Sequence, residues 1–430
     1  VQTHFPSGDD SSLDAGLLLA PFRGVRYDLS RVGGLANVTS PPYDVIGPGT
    51  LERLHAASPY NVVRLILPAY APGAAALLGD WLADGVLAVD DAPAFYVYEQ
   101  RAGDWIQRGL MGLIAVGTDA VHPHEAVMPG PVAGRRELMK ATRSNLEPIL
   151  LVYHGGPAGQ DGTGLGASGL TDATAEHSEP LACAVTGDGI THRLWAVTDP
   201  AAQQAIAADL AARTALIADG HHRYAAYREL QAEMRAAGAG DGPWDYGLAF
   251  LVDSDAYPLH LGAIHRVLPG LAPAEARRRA AGAFTVTELA GDLDLALGEL
   301  AAAGLRGHAF LLAGADGYWL LTDPDQKQLE AAMPPQTSDR WRALDASVMR
   351  ELLLDRLWSI RDNERDVQIA HDAAEAVRMA ADCGGTAVLC NPMPLHAVTE
   401  LAAHGETVPR KSTSFGPKPR TGLVLRSFDA

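Results

Sequence analysis

The apolar run Leu216-Ile217-Ala218 leads into Asp219-Gly220-His221-His222-Arg223-Tyr224, where a helix starts at once. Such a junction presents unpaired backbone amides and the positive end of a helix dipole. Gly220 allows a ligand close to the backbone. His221, His222 and Arg223 add donors and positive charge to the first turn, where a cation is unfavourable unless an anion sits beside it. A phosphate group answers that conflict. A capping Asp219 and a turn at Gly220 would account for only two of these residues. The spacing is not that of a P-loop. Asp219, one residue before the cradle, is placed to take a proton from an attacking hydroxyl or to bind Mg²⁺. With His222 and Asp44 it forms the candidate catalytic set.

Three other segments carry ligand-suited chemistry. Pro41-Pro42-Tyr43-Asp44 is stiff and extended, because each proline restricts its neighbour, and it sets Tyr43 and Asp44 on a loop. Ser58-Pro59-Tyr60-Asn61 leads into a strand; a capping Asp44 and a turn Asn61 are the plain readings. His122-Pro123-His124-Glu125 has the residue types of a zinc site but too few ligands for one. Glu125 suits Mg²⁺ held through nucleotide phosphates, since that ion takes only one or two protein carboxylates. His265-Arg266 is either a strand end at the surface or an anion contact.

Only four of the 34 basic residues are lysine: Lys140, Lys327, Lys411 and Lys418. In an arginine-rich chain a retained lysine marks a place that needs a compact point charge. Residues 407–428 hold Arg410, Lys411, Lys418, Arg420 and Arg426 and no acid. Ser412, Thr413 and Ser414 add hydroxyl donors, and Phe415 and Gly422–Leu425 point to a docked strand. A phosphate or carboxylate partner fits this stretch better than a solvated tail.

These residues need a sizeable scaffold to position them. The chain has 430 residues, 47% apolar and 20% charged, with a net charge of −18. That excludes general disorder, and it repels nucleic-acid phosphates. No apolar run is long enough to span a membrane, and acids stand where a signal peptide needs bases. Cys183, Cys383 and Cys390 form no disulfide framework and read as reduced core thiols, which fits the cytoplasm.

The expected elements begin with a loose arm over 1–17. Strands follow at 61–67, 95–100, 107–116, 149–153, 182–185, 192–197, 214–218 and 247–251. Helices lie at 74–84, 135–144, 199–210 and 223–237, with a Gly-rich loop at 155–170. A compact run of helices and strands occupies 273–322, one helix fills 337–358, and a helix and a strand lie at 371–382 and 386–390. The division is 18–268 for the nucleotide and substrate domain and 269–430 for a second α/β domain, with 407–428 returning to the site.

Asp219-Gly220-His221-His222-Arg223 resembles the nucleotide-phosphate motif of the ParB/sulfiredoxin fold, which includes chromosome-partitioning CTPases and free-serine kinases. From about Leu18 to Leu425 the chain is similar to the family catalogued as domain of unknown function 1015. That similarity rests on Pro21–Tyr27, Pro41–Ile46, Ser58–Leu65, His124-Glu125, Ala218–Tyr224, His265-Arg266 and Lys411–Lys418. Two departures mark the substrate edge: Arg135-Arg136 where an Asp-Arg pair is expected, and Val127 in place of a threonine.

The resemblance implies an α+β chain, a ParB/sulfiredoxin-like mixed αβ core with a second C-terminal α/β domain. It implies a phosphotransferase using ATP or ADP with Mg²⁺ on a small hydroxylated metabolite, L-serine first among them. Nucleotide would meet Gly220, His221, His222, Arg223, Lys411, Ser412, Thr413 and Lys418. Substrate would meet Tyr43, Asp44, Asn61, His124, Arg136, His265 and Arg266, and metal would meet Glu125. Asp44, Asn61, His124, Glu125, His222, Arg223 and the Lys411 segment are expected to converge on one cleft. Phosphatase chemistry and a non-enzymatic nucleotide-binding regulator are the alternatives. A sulfiredoxin role is disfavoured, because His221 stands where that motif carries its cysteine.

Overall fold

The computed structural model describes residues 16–156, 166–363 and 365–430. The expected N-terminal arm as far as residue 15, and positions 157–165 of the expected Gly-rich loop, lie outside them. The chain is a mixed α+β protein that divides into two compact units. The first takes residues up to Pro123, Val127–Leu259 and Pro417–Ala430; the second takes His124–Ala126 and His260–Gly416.

The first unit is built on a large mixed sheet. Its strands run in the order Val121–His122, Ala215–Asp219, Ile149–Tyr153, Tyr246–Asp253, Trp105–Ala115, Phe95–Ala102, Thr191–Val197 and Ala182–Val185. Leu19–Ala20 joins it along Trp105–Ala115. Two pairings are parallel, Ala215–Asp219 with Val121–His122 and Ile149–Tyr153 with Tyr246–Asp253. The hairpin expected near Gly103 is present, with Ala102 opposite Trp105 and Gly103 at a φ of 57°. Ile149, Leu151, Ile217, Ala249 and Leu251 from three adjacent strands pack with Tyr224, Tyr227 and Leu230 of the helix His221–Ala236. That burial, rather than helix propensity, fixes the helix against the sheet.

Several expectations fail for physical reasons. Asn61–Leu67 is not a strand: Val63–Ile66 is a helical turn. Val62, Val63, Leu65 and Ile66 are wholly buried, and a short apolar run of that kind reads the same in either conformation. Residues 167–170, expected in a loop, open the helix Ala167–His177. The single helix expected over 337–358 is three pieces, Asp339–Arg342, Asp345–Val348 and the π-helix Met349–Leu357. Cys183 and Cys383 are exposed rather than core thiols.

The second unit has a six-stranded sheet in the order Thr285–Leu289, Gly317–Thr322, Phe310–Gly314, Thr386–Cys390, His265–Leu268 and Gln368–Ala370. Every pairing in it is antiparallel, so this unit is α+β rather than built of βαβ crossovers. The helices Leu293–Gly304 and Ala373–Cys383 bury Ala296, Leu300, Ala303, Ala376 and Ala380 in its core. His260–Gly262 pairs separately with Ser414–Gly416.

Among the described residues no helix is long and apolar enough to cross a membrane.

Candidate active site

The strand Ala215–Asp219 pairs with Ile149–Tyr153 through a register shift between Ile217 and Asp219. A bulge of this kind bends a strand end and re-aims its side chains. Gly220 follows with φ 95° and ψ 27°, and the helix begins at His221. Glycine is required here twice over. The backbone is left-handed, and a Cβ would fall 2.9 Å from Ile149 Cγ2 and 3.2 Å from Arg223 Nε. Its absence lets Arg223 fold back against the strand end.

Arg223 is 4% exposed. Its Nη2 donates to Asp219 Oδ2 at 2.6 Å, and its Nη1 donates to the Pro148 carbonyl. Its Nε has no hydrogen-bond partner among the described residues. Burial alone would lower its pKa, but the Asp219, Glu147 and Asp44 carboxylates outweigh it and raise it. Arg223 therefore holds Asp219 from inside the fold.

Lys418 closes the cluster from the other end of the sequence. Its ammonium lies 2.6 Å from Asp219 Oδ1 and 3.0 Å from Asp44 Oδ2. Burial opposes its charge, yet the two carboxylates win and its pKa is raised. Burial would likewise raise the Asp44 carboxyl, and the Lys418 and Arg223 charges overcome it and hold it below the usual value. A lysine ammonium has three donors, so two carboxylates leave one more N–H to give.

The loop carrying Asp44 is fixed by backbone. Ser40 and Thr421 exchange N–H···O bonds of 3.1 and 2.8 Å, which aligns the segment before Asp44 with the one after Lys418. Tyr43 N donates to Glu147 Oε1 at 3.0 Å, and the Tyr43 ring lies 4.2 Å under the Arg135 guanidinium. Glu147 is buried, 3.5 Å from Arg135, and burial raises its pKa despite Arg223 and Arg135. The C-terminal strand Leu425–Ser427 pairs with Gly24–Tyr27 and Ser144–Asn145, and so anchors this last segment in the first unit.

Tyr43, Asp44, Asp219, Gly220, Arg223 and Lys418 thus meet in one place. His221 is buried at the helix start, and His222 Nε2 accepts from Met128 N at 3.1 Å. Asn61 is wholly buried and committed to its neighbours: it donates to the Asn37 and Thr39 carbonyls at 2.8 and 3.2 Å and accepts from Val63 N. Arg136 faces outward to Glu229 at 3.1 Å and Glu137 at 3.4 Å.

The other candidates lie in the second unit. His124 is buried, with Nε2 3.0 Å from Thr413 Oγ1 and its ring edge-on to Phe415. Glu125 follows it in the same segment. Lys411 is exposed at φ 52°, and Ser412 Oγ donates to the Pro409 carbonyl at 2.6 Å. His265 and Arg266 are buried in the sheet, not at a surface strand end; His265 Nδ1 accepts from Cys390 N at 3.2 Å. Among the described residues no three His, Cys, Asp or Glu side chains group as a metal site.

Two members of the first-unit cluster escaped the sequence reading. Glu147 gives no signal beyond a carboxylate before Pro148, and Arg135 was visible only as a departure from an expected acid.

A family model described as a protein of unknown function, DUF1015, matches residues 19–347, and the chain belongs to that family. Among solved structures it is similar to a variant of a free serine kinase in complex with AMP: 16% identity over 69% of this chain and 85% of that one, with a TM-score of 0.34. It is also similar to SbnI with a C-terminal truncation from Staphylococcus aureus, at 14% identity, 74% and 87% coverage and a TM-score of 0.36. A third is a conserved hypothetical protein from Pyrococcus furiosus, at 14%, 72% and 93%, with a TM-score of 0.33. No curated protein matches the chain.

Proposed function

We propose that this protein is a nucleotide-dependent phosphotransferase with a ParB/sulfiredoxin-like core, acting on a small hydroxylated metabolite, with L-serine as the first candidate. The observation that carries the reading is the lysine bridge: Lys418 spans Asp219 and Asp44 beside the start of a 16-residue helix entered through left-handed Gly220. Phosphoryl transfer asks for this combination of oriented amides, a point cation and a nearby carboxylate. The choice of L-serine rests on the resemblance of the Asp219–Arg223 motif to that of free-serine kinases.

The geometry redistributes the roles. Asp219 already accepts from Arg223 and Lys418, so in this reading it positions the lysine rather than taking a proton. Asp44 is the more open carboxylate, 35% exposed against 8%, and it meets the acceptor hydroxyl. The serine oxygen forms the new O–P bond, the bond from the terminal phosphorus to its bridging oxygen breaks, and the hydroxyl proton passes to Asp44. Arg223 is a positioning residue. Mg²⁺ comes with the nucleotide.

The test is incubation with L-serine, Mg²⁺ and either ATP or ADP, with O-phosphoserine read by mass spectrometry. Product that depends on nucleotide supports the kinase direction. Phosphate released from O-phosphoserine without nucleotide supports the phosphatase. No transfer or release with L-serine or a panel of hydroxy and amino acids defeats the enzyme reading and leaves a nucleotide-binding regulator.

A further inference from the structure

The second unit contains a cavity of about 600 Å³ whose lining residues are separate from the Lys418–Asp219–Asp44 cluster that carries the phosphotransferase reading. One side of its wall is apolar, with Ile264, Met349, Met393 and Ala397; polar residues such as Asn391 and Arg340 also line it, and so does Arg266. The volume lies within the range of small-molecule sites.

Arg266 is the unusual member. It is 1% exposed, yet none of its hydrogen bonds among the described residues goes to a carboxylate. Nη2 donates to the Arg410 carbonyl at 3.0 Å, Nη1 reaches the Ile264 carbonyl at 3.4 Å, and Nε has no partner. The carboxylate of Asp362 is spent on Arg410, 3.4 Å away. Burial lowers the Arg266 pKa, and Cys390 and Asp362 only partly offset it. Simple structural use of a buried arginine looks different in this same chain. Arg426 donates to Asn145 Oδ1 at 3.0 Å and to the Tyr246 and Pro243 carbonyls, and its guanidinium covers Phe428. A buried guanidinium with donors to spare, on the wall of a cavity with an apolar side, is matched by an anion that brings an apolar body with it.

We propose that this cavity binds a small monocarboxylic acid, its aliphatic or aryl body against the Met349–Met393 wall and its carboxylate paired with Arg266. The apolar part of the wall favours an acid with an organic body over inorganic phosphate or sulfate, which would leave that surface uncovered. The site stands independently of the phosphotransferase reading.

The experiment is thermal unfolding of the full chain with octanoate or 4-phenylbutyrate, against octanamide, 4-phenylbutyramide and inorganic phosphate. The acids are expected to raise the midpoint by about 3 °C or more at saturation, with the amides and phosphate without effect. Two variants locate the effect. Arg266→Met removes the charge, and Ala397→Phe fills the cavity from the half-buried face of a helix while leaving Arg266 in place. Both are expected to abolish the shift. If Arg266→Met does not fold, loss of the shift in Ala397→Phe supports the site by itself. An equal shift with the amides, a shift with phosphate alone, no shift with either acid, or a shift that survives in Ala397→Phe overturns the proposal.

Discussion

Arg223 in the first unit and Arg266 in the second are both almost completely buried, and both keep an Nε without a partner among the described residues. Their surroundings are opposite. Arg223 faces Asp219 directly, with the charges of Glu147 and Asp44 nearby, and its pKa is raised. Arg266 faces backbone carbonyls, and its pKa is lowered. Arg223 is matched by the protein's own carboxylates, whereas Arg266 lies on a cavity wall with an Nε that has no partner among the described residues. Burial alone does not tell the two apart, and the acids around each do.

Removing the charges breaks the comparison most severely. Arg223→Met leaves buried Asp219 with Lys418 as its remaining cation and buried Glu147 with Arg135 at 3.5 Å, and should destabilise the first unit by about 3 kcal/mol in urea denaturation. Arg266→Met strands two carbonyls but also relieves a buried charge that no carboxylate hydrogen-bonds among the described residues, so it should cost less, about 2 kcal/mol or below. Equal losses would erase the distinction.

Acid titration sharpens it next. His192 in the first unit and His265 in the second are both held near pKa 4 by burial, against an ordinary value of 6.5. Each binds a proton more weakly folded than unfolded. Stability is therefore full above pH 6.5 and falls as the pH drops towards 4, by on the order of 3 kcal/mol per histidine. His192→Gln should flatten the acid limb of the first unit alone. His192 sits between Tyr98 and Thr186 at 2.8 and 3.0 Å, contacts that glutamine can partly keep. An unchanged acid limb in that variant would contradict the assignment.

The smallest effect belongs at the surface. Arg136 pairs with Glu229, and Lys140 pairs with Glu233 at 2.5 Å, both partly exposed. Arg136→Ala should change stability by less than about 1 kcal/mol. It should also leave phosphate transfer intact, which would remove Arg136 from the substrate-binding set. A large loss of activity would restore it.

Much of this arrangement was legible from residue order. The strand–Gly220–helix junction is local, and its strand and helix lie within a few residues of expectation because their apolar periodicities are strong. The bulge before Asp219 was not legible, since it depends on pairing with Ile149–Tyr153, a strand some sixty positions away in the chain. Asn61–Leu67 misled because complete burial removes the alternation that separates strand from helix. The scarcity of lysine did single out Lys418, but its two partners lie at positions 44 and 219 and only the fold unites them. Arg266 read as either a surface strand end or an anion contact, because nothing in its neighbourhood announces that the strand is interior.

The central claim is that Lys418, held by Asp44 and Asp219 at the Gly220 turn, receives the phosphates of a nucleotide. Calorimetric titration of Mg²⁺–ADP into wild type, Lys418→Met and Lys140→Met tests it, because the two variants lose the same charge at different places. The account predicts binding to wild type, affinity reduced about tenfold or more in Lys418→Met, as for loss of one charged hydrogen bond, and unchanged affinity in Lys140→Met. Equal affinity for wild type and Lys418→Met, with the variant folded, would contradict it.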